Sequence, residues 1–574
     1  MRSVLRKVPR LLWGVLVGSM LVSSGSGVMA EECAKRRAAR LKPARPALLR
    51  GDCMTLAGRL EGLPDTSVLS VTLATRGTLE VAGEAVDDHC VVLGEMHERV
   101  SPVDGNRYAV GFEMRLPLHW NGRFFYQANG GIDGNVVTAT GSAGAMAKTH
   151  PLHEGFAVLS SDAGHTAALG AAFGLDPQAR LDYGYQAAQV LTPMAKELVR
   201  RAYGKGPDRS YFGGCSNGGR HTFVAMKRLA EEYDGFLAGA PGFRLPLAAI
   251  ANIAGAQRYS SVATVPGDLS TAFTAAERKL VAEAVLARCD ELDGLADGLV
   301  MDFVACQNAF SLFRDVPSCE GARDGTCLSD DQKSAIDPIF RGIPTGAGEV
   351  FYASFPYDAG LSGAGIGFWE FTAPLVLDSG GVGLIWSSPP EDPTEFVPPV
   401  YALTTPVDAM LAAIEVTDER YSESGLEFML PPSPAELDTL AQRGAKVMVY
   451  HGVSDPIFSV ADTARWYEEV DAHHGGDASS FVRFYPVPGM GHCSGGPATD
   501  QFNMLAPLVA WVEHGKKPRH ILAKVRGEES LLGANADVPV GWSSERVRPL
   551  CPYPTVARYI GGGDSEGGQR FRCR

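Results

Sequence analysis

Apolar residues alternate with polar ones along much of residues 68–125, as in Tyr108-Ala-Val-Gly-Phe-Glu-Met-Arg-Leu. A period of two predicts half-buried strands, here the antiparallel start of a sheet. Residues 31–65 carry no clear period. After residue 125 the pattern changes to buried strands alternating with helices. Phe156-Ala-Val-Leu-Ser predicts a strand, and Tyr185 to Tyr203 has helical spacing. Ser210-Tyr-Phe-Gly-Gly predicts a strand, Gly218 to Tyr233 a helix, and Phe236-Leu-Ala-Gly-Ala another strand. This alternation implies a mostly parallel sheet with helices on both faces. It stops over residues 243–433, where short helices and a Gly/Pro/aromatic-rich stretch are expected. It resumes with a strand at Lys446-Val-Met-Val-Tyr, a helix near Ala461 to Val470, a strand at Phe481 to Val487 and a helix near Asp500 to Glu513. The pattern describes one α/β domain in two parts, 31–242 and 434–574, interrupted by a lid over 243–433. There are no internal repeats.

The chain has 574 residues, enough for a large core. Its beginning reads as an export signal over residues 1–30. Arg2, Arg6, Lys7 and Arg10 precede a short apolar run from Leu11 to Val22, and Val28-Met-Ala offers a cleavage site. An uncleaved anchor is the alternative, but a spanning helix needs roughly 20 apolar residues. A secreted or periplasmic protein without a membrane span after cleavage is expected, and a monomer. The net charge of −14 and the lack of a basic cluster exclude a nucleic-acid partner.

Eleven cysteines in an exported chain imply disulfides and one leftover thiol. Connectivity does not follow from sequence. Short separations favour Cys53 with Cys90, Cys289 with Cys306, Cys319 with Cys327 and Cys551 with Cys573. That leaves Cys215, Cys493 and the N-terminal Cys33, the odd one. A bond between Cys215 and Cys493 would bring their neighbours Ser216 and His492 together.

Gly214-Cys-Ser216-Asn-Gly218 fits Gly-x-Ser-x-Gly between a strand and a helix, the setting of a nucleophile elbow. A Gly-rich turn without chemistry is the plainer reading of that motif alone. Downstream, Asp455 follows the strand at Val447, and His492 follows the strand at Phe481. The order Ser, Asp, His is that of α/β-hydrolases. Ser216 is then the nucleophile, His492 the base and Asp455 the group that orients it. His451 and His165 are rival bases. The oxyanion hole needs two backbone donors. Asn217 supplies one, and Gly131, in the loop Gln127-Ala-Asn-Gly-Gly-Ile-Asp-Gly, is the candidate for the other.

These residues resemble the tannase and feruloyl esterase family. The likeness rests on Gly-Cys-Ser216-x-Gly-Gly-Arg, His-Gly-x-Ser-Asp455 and Pro-Gly-Met-x-His492-Cys-Ser-Gly-Gly-Pro. Trp120-Asn-Gly-Arg-Phe-Phe, Gly174-Leu-Asp-Pro-Gln-Ala-Arg and Arg548-Pro-Leu-Cys-Pro-Tyr-Pro extend it over most of the chain. The resemblance implies an α/β-hydrolase fold, a serine esterase, a Cys215–Cys493 disulfide and a lid over an aromatic acyl pocket. It implies that Gly131 and Asn217 form the oxyanion hole and that His451 and Phe458 border the substrate. It further implies a structural calcium ion in the lid, held by Asp290, Asp293 and Asp297 with the carbonyls of Leu295 and Leu299. Spacing alone leaves that run evenly divided between a cation loop, suited to a hard ion that takes several oxygens, and an acidic turn closing the helix Ala275 to Arg288.

Feruloyl or galloyl esters are the expected substrates. A terephthalate-monoester hydrolase is the alternative enzyme, a peptidase is also compatible with the triad, and a non-catalytic binding protein on the same fold is the alternative of another class. The terephthalate reading implies a lid cation facing the free carboxylate, and residues 342–419 contain no Lys, Arg or His. Asn217 also stands where that activity implies a glutamate. The intact Ser, Asp, His set argues against the binding protein.

Overall fold

Alternation from Thr66 onward becomes the antiparallel end of a nine-stranded sheet in a computed structural model that describes residues 41–574. The expected signal over 1–30 and Cys33 lie outside the described residues. In chain order the strands are β1 (Thr66–Ala74), β2 (His89–Val100), β3 (Arg107–Pro117), β4 (Arg123–Gln127), β5 (Ala157–Ser161), β6 (Arg209–Cys215), β7 (Gly235–Gly239), β8 (Lys446–Gly452) and β9 (Val482–Val487). Across the sheet they run β9-β8-β7-β6-β4-β5-β3-β2-β1. The six from β9 to β5 are parallel, and β3, β2 and β1 pair antiparallel. β5 and β7 are buried at every position, as strands covered on both faces must be. The parallel register carries the ends of β6, β8 and β9 to one edge, where the loops bearing Ser216, Asp455 and His492 begin.

The helices differ in three places from what periodicity predicts. α1 (Cys53–Leu60) occupies part of 31–65, started by a capping box in which the Asp52 and Thr55 side chains each accept the other's backbone N–H. Its signal is weak because Thr replaces the usual Glu or Gln at the third position. α2 (Ala187–Tyr203) and α3 (Asn217–Arg228) flank β6 in sequence. The segment 243–433 then holds more than short helices: α4 (Leu245–Val262), α5 (Ala275–Cys289) and α6 (Asp330–Arg341) have 18, 15 and 12 residues. α4 is apolar nearly all round and mostly buried, so it has no polar face for a period to reveal. α7 (Val460–His473) and α8 (Leu505–His514) return to the strand–helix pattern. α8 starts five residues after Asp500, because that carboxylate instead accepts from Arg526 and the Gly495 amide.

Five disulfides join Cys53 to Cys90, Cys215 to Cys493, Cys289 to Cys306, Cys319 to Cys327 and Cys551 to Cys573. The second links the end of β6 to the loop after β9 over 278 residues of sequence.

Candidate active site

Ser216 sits where β6 turns into α3, at φ 67° and ψ −127°. A non-glycine residue rarely adopts a positive φ, and the surroundings must impose it. Gly214 and Gly218 make the turn feasible, since a Cβ on either would run into the carbonyl oxygen of Ala128. The Ser216 amide donates to Gly239 in β7, and its carbonyl accepts from Arg220 in α3. The hydroxyl is thereby lifted off the sheet edge.

His492 bridges the other two residues. Its Nε2 lies 2.8 Å from Ser216 Oγ and its Nδ1 2.8 Å from Asp455 Oδ2. Asp455 is 2% exposed. Its Oδ1 accepts the amides of Ile457 and Phe458, and its Oδ2 also lies 3.3 Å from His451 Nε2. Burial alone would raise this carboxyl, but the charge of His492 and the hydrogen bonds from His451 and His492 hold it well below the usual carboxylate range.

His451 has no exposed side-chain surface. Its Nδ1 meets Thr463 Oγ1, and its Nε2 meets the Phe458 carbonyl and Asp455. In this structure it meets the site through Asp455. Phe458 meets the His492 ring edge-on at 5.3 Å, and Trp369, from the segment 243–433, does the same at 5.3 Å. Two aromatic edges thus flank the imidazole, and Phe368 beside Trp369 is exposed. His165 is buried, stacked on Phe173 at 3.6 Å with Nε2 on the Ile132 carbonyl.

Asn217 opens α3 directly after the serine. Gly131 lies in the loop 130–134 at φ 64°, and the neighbouring Gly130 packs against Ser216, with room for a Cβ only 3.7 Å from the serine Cβ. Sequence reasoning missed the side chains that tie this loop down, Asp133, Arg220 and His221. It also missed Asp358, which accepts from Ser454 Oγ and the Gly489 amide, at 2.8 Å each, and so joins the loops of Asp455 and His492 to the segment 243–433. A cavity of about 70 Å³ lies nearby, between Phe340, Phe355, Ile366, Phe371 and Val453, with Arg278, Glu370 and Asp455 also in its walls. Its walls do not include Ser216 or His492, so it is not where an ester meets the nucleophile.

The acidic run after α5 forms a 3₁₀ turn, Asp290–Asp293, and a loop closed by Gly294 and Gly298, both at positive φ. Asp290 accepts the amides of Asp297 and Gly298. Asp297 pairs through Oδ2 with buried Arg548. Asp293 Oδ2 and Asp297 Oδ1 are buried without a hydrogen-bond partner. Burial, with the charges of Asp297 and Asp290, pushes Asp293 up to about 7. The donor set suits a hard cation, which takes carboxylate and carbonyl oxygens. Asp438, His473 and His474 form a separate surface cluster with ligand atoms within 4.8 Å of one another.

Comparison with known proteins identifies the family. The family model described as tannase and feruloyl esterase matches residues 90–574. The chain belongs to the tannase and feruloyl esterase family. It is 37% identical over 531 residues to mono(2-hydroxyethyl) terephthalate hydrolase of Piscinibacter sakaiensis, covering 85% of each chain. It is 27% identical over 491 residues to a probable feruloyl esterase B-1 of Neosartorya fischeri, covering 80% of this chain and 82% of that one. Feruloyl esterase B of Aspergillus oryzae shares its fold, with a TM-score of 0.72 over 91% of this chain and 99% of that one at 21% identity. The tannin acyl hydrolase of Aspergillus niger superimposes with a TM-score of 0.65 over 91% and 94% of the two chains at 20% identity. The chain is a carboxylic ester hydrolase of α/β-hydrolase fold, which excludes the non-catalytic alternative. Among the described residues no helix is long and apolar enough to cross a membrane.

Proposed function

We propose that the protein is a secreted or periplasmic serine esterase that cleaves aromatic carboxylic esters through Ser216, His492 and Asp455. The observation that carries this reading is the imidazole of His492 held 2.8 Å from both the serine hydroxyl and the aspartate. Ser216 Oγ attacks the ester carbonyl carbon as His492 Nε2 takes its proton. The negative oxygen that forms is met by the amides of Asn217 and Gly131. His492 then gives the proton to the leaving alcohol, and the acyl group stays on Ser216. Water, deprotonated by the same imidazole, attacks the acyl carbon, and the imidazolium returns the proton to Ser216 Oγ as the acid leaves. Asp455 keeps the proton of the resting imidazole on Nδ1 and stabilises the imidazolium.

Feruloyl or galloyl esters suit the aromatic rings of Phe458 and Trp369 beside His492 and a stretch without cations, 342–419. The 37% identity to a terephthalate-monoester hydrolase favours a second reading. Against it stands the cost of desolvating a free substrate carboxylate, since 342–419 supplies no cation; Arg278 of α5, in the wall of the cavity that reaches Asp455, is a cation from outside that stretch. Steady-state rates on methyl ferulate, methyl gallate and a terephthalate monoester decide between them, and a terephthalate preference would sink the first. A fluorophosphonate probe that leaves Ser216 unlabelled in folded protein would sink both.

Calcium is the structural cofactor of this reading. Asp290, Asp293 and Asp297, with the carbonyls of Leu295 and Leu299, would hold it, and the buried free oxygens of Asp293 and Asp297 support the assignment. The ion supplies no chemistry at Ser216. It neutralises a loop whose Leu299 packs against Gly489, three residues before His492.

A further inference from the structure

The loop 130–134, which carries Gly131, is not joined to α3 by its own backbone. Three of its five residues are glycine, and Gly131 and Asp133 both have positive φ, at 64° and 57°. Its internal bond, Asp133 N–H to the Gly130 carbonyl at 3.2 Å, shapes a turn without placing it. His165 holds the Ile132 carbonyl, and Gly134 exchanges backbone bonds with Asp162 and Ala167. None of these contacts joins the loop to the helix that carries the other donor.

The Asp133 side chain makes that join. Its Oδ2 accepts from Asn217 Nδ2 at 2.8 Å and from His221 Nε2 at 2.8 Å. Asn217 and His221 lie four residues apart on α3, so one carboxylate oxygen reaches both on the same helix face. The side chains of Asp133 and His221 are 2% and 9% exposed. Arg220, fully buried, completes the cluster by donating to Asn217 Oδ1 at 2.6 Å, to the Gly184 carbonyl at 2.8 Å and to His221 Nδ1 at 3.1 Å. Arg220 Nη2 lies 3.1 Å from both ring nitrogens. A carboxylate only accepts, so Nε2 carries the proton given to Asp133. Burial and the nearby Arg220 charge hold the imidazole below its ordinary pKa, in keeping with that neutral tautomer.

We propose that Asp133 and His221 are positioning residues for the oxyanion hole. Their hydrogen bond, shared with Asn217, holds the Gly131 loop at a fixed distance from Ser216, so that the amides of Gly131 and Asn217 converge on one oxygen. The inference rests on the serine-esterase reading above. Neither side chain touches the substrate. Displacing an oxyanion donor weakens transition-state binding while leaving ground-state binding nearly intact.

The test is kinetic. His221→Leu and Asp133→Ala should each lower kcat by about 10- to 100-fold, the effect of roughly 1 Å of misplacement, with KM within about threefold. His221→Gln, whose amide nitrogen can replace Nε2, should recover most of the rate. The double variant should be no slower than the slower single, because both changes cut one contact. Affinity for phenylboronic acid, which forms a tetrahedral adduct on Ser216, should fall in parallel with kcat/KM while inhibition by benzoate stays constant. Should the Leu variant fail to fold, His221→Asn, one methylene shorter than Gln, serves as the loss variant. The inference is overturned if Gln is as slow as the loss variant, if the single losses multiply in the double, or if boronate affinity is unchanged. A Ser216→Ala variant that keeps its activity would sink the esterase reading itself. A dead Ser216→Ala beside a His221→Leu as fast as the parent overturns only the positioning role.

Discussion

Two sets of buried aspartates behave in opposite ways. At the sheet edge, Asp455 is held well below the usual range because two histidines and two amides surround it. In the stretch 342–419, burial pushes Asp358 up to about 6 and Asp378 up to about 7. Asp358 is met by neutral donors, Ser454 and the amides of Ala359 and Gly489, and Asp378 by Asn252. Neither Asp358 nor Asp378 meets a charged partner that would offset desolvation. Asp455 is held anionic by its partners, and Asp358 and Asp378 drift toward neutrality among neutral donors. One set serves charge chemistry. The other lines an uncharged surround.

Asp455→Asn gives the sharpest test of that contrast. It should lower kcat about 10⁴-fold, as tautomer loss does in Ser-His-Asp triads, measured on the preferred aryl ester. Asp358→Asn should cost far less, because it touches the triad loops only through Ser454 and Gly489; an equal loss would erase the contrast. Breaking the Cys215–Cys493 bond by paired serine substitutions should remove about 2–5 kcal/mol of stability in denaturant unfolding. It should also reduce kcat, and unchanged activity would show that the bond is dispensable to the triad. Chelation should lower the melting temperature while kcat in the cold stays near its starting value, and an unmoved melting temperature would remove the calcium assignment.

A pH dependence separates the two kinds of aspartate further. Asp378 has a folded pKa of about 7 against an ordinary 3.8. Its contribution to stability is complete below about 4 and is lost as pH rises toward 7. Asp378→Asn should therefore melt higher than the parent at pH 8, by an amount that vanishes at pH 4. Asp455 has the opposite sign, with stability present above about 4 and lost as pH falls. An Asp378→Asn variant that gains nothing at pH 8 would mean that Asp378 has found a cation.

The parallel strands and the residues at their ends were legible because both leave local marks. Buried strands are short apolar runs, and Gly-x-Ser-x-Gly needs its glycines wherever it occurs. α4 was not legible, since a helix apolar nearly all round has no period. α1 was missed because its capping box uses Thr55. His451 was assigned to the substrate from a family likeness, yet its place behind Asp455 depends on Thr463, twelve residues away on α7. Asp133 and His221 left no sequence mark as a pair, because a separation of 88 positions hides the contact.

By itself the sequence determined the fold class, the family, the chain order of Ser216, Asp455 and His492 and the cation-free composition of 342–419, because each is written in neighbouring residues. Only the tertiary structure decided which groups surround each buried charge. It placed two histidines on Asp455, left Asp293 and Asp297 with free oxygens, and set Asp133 against His221. The reason is physical: desolvation and charge pairing depend on distance in space, and chain separation does not report it.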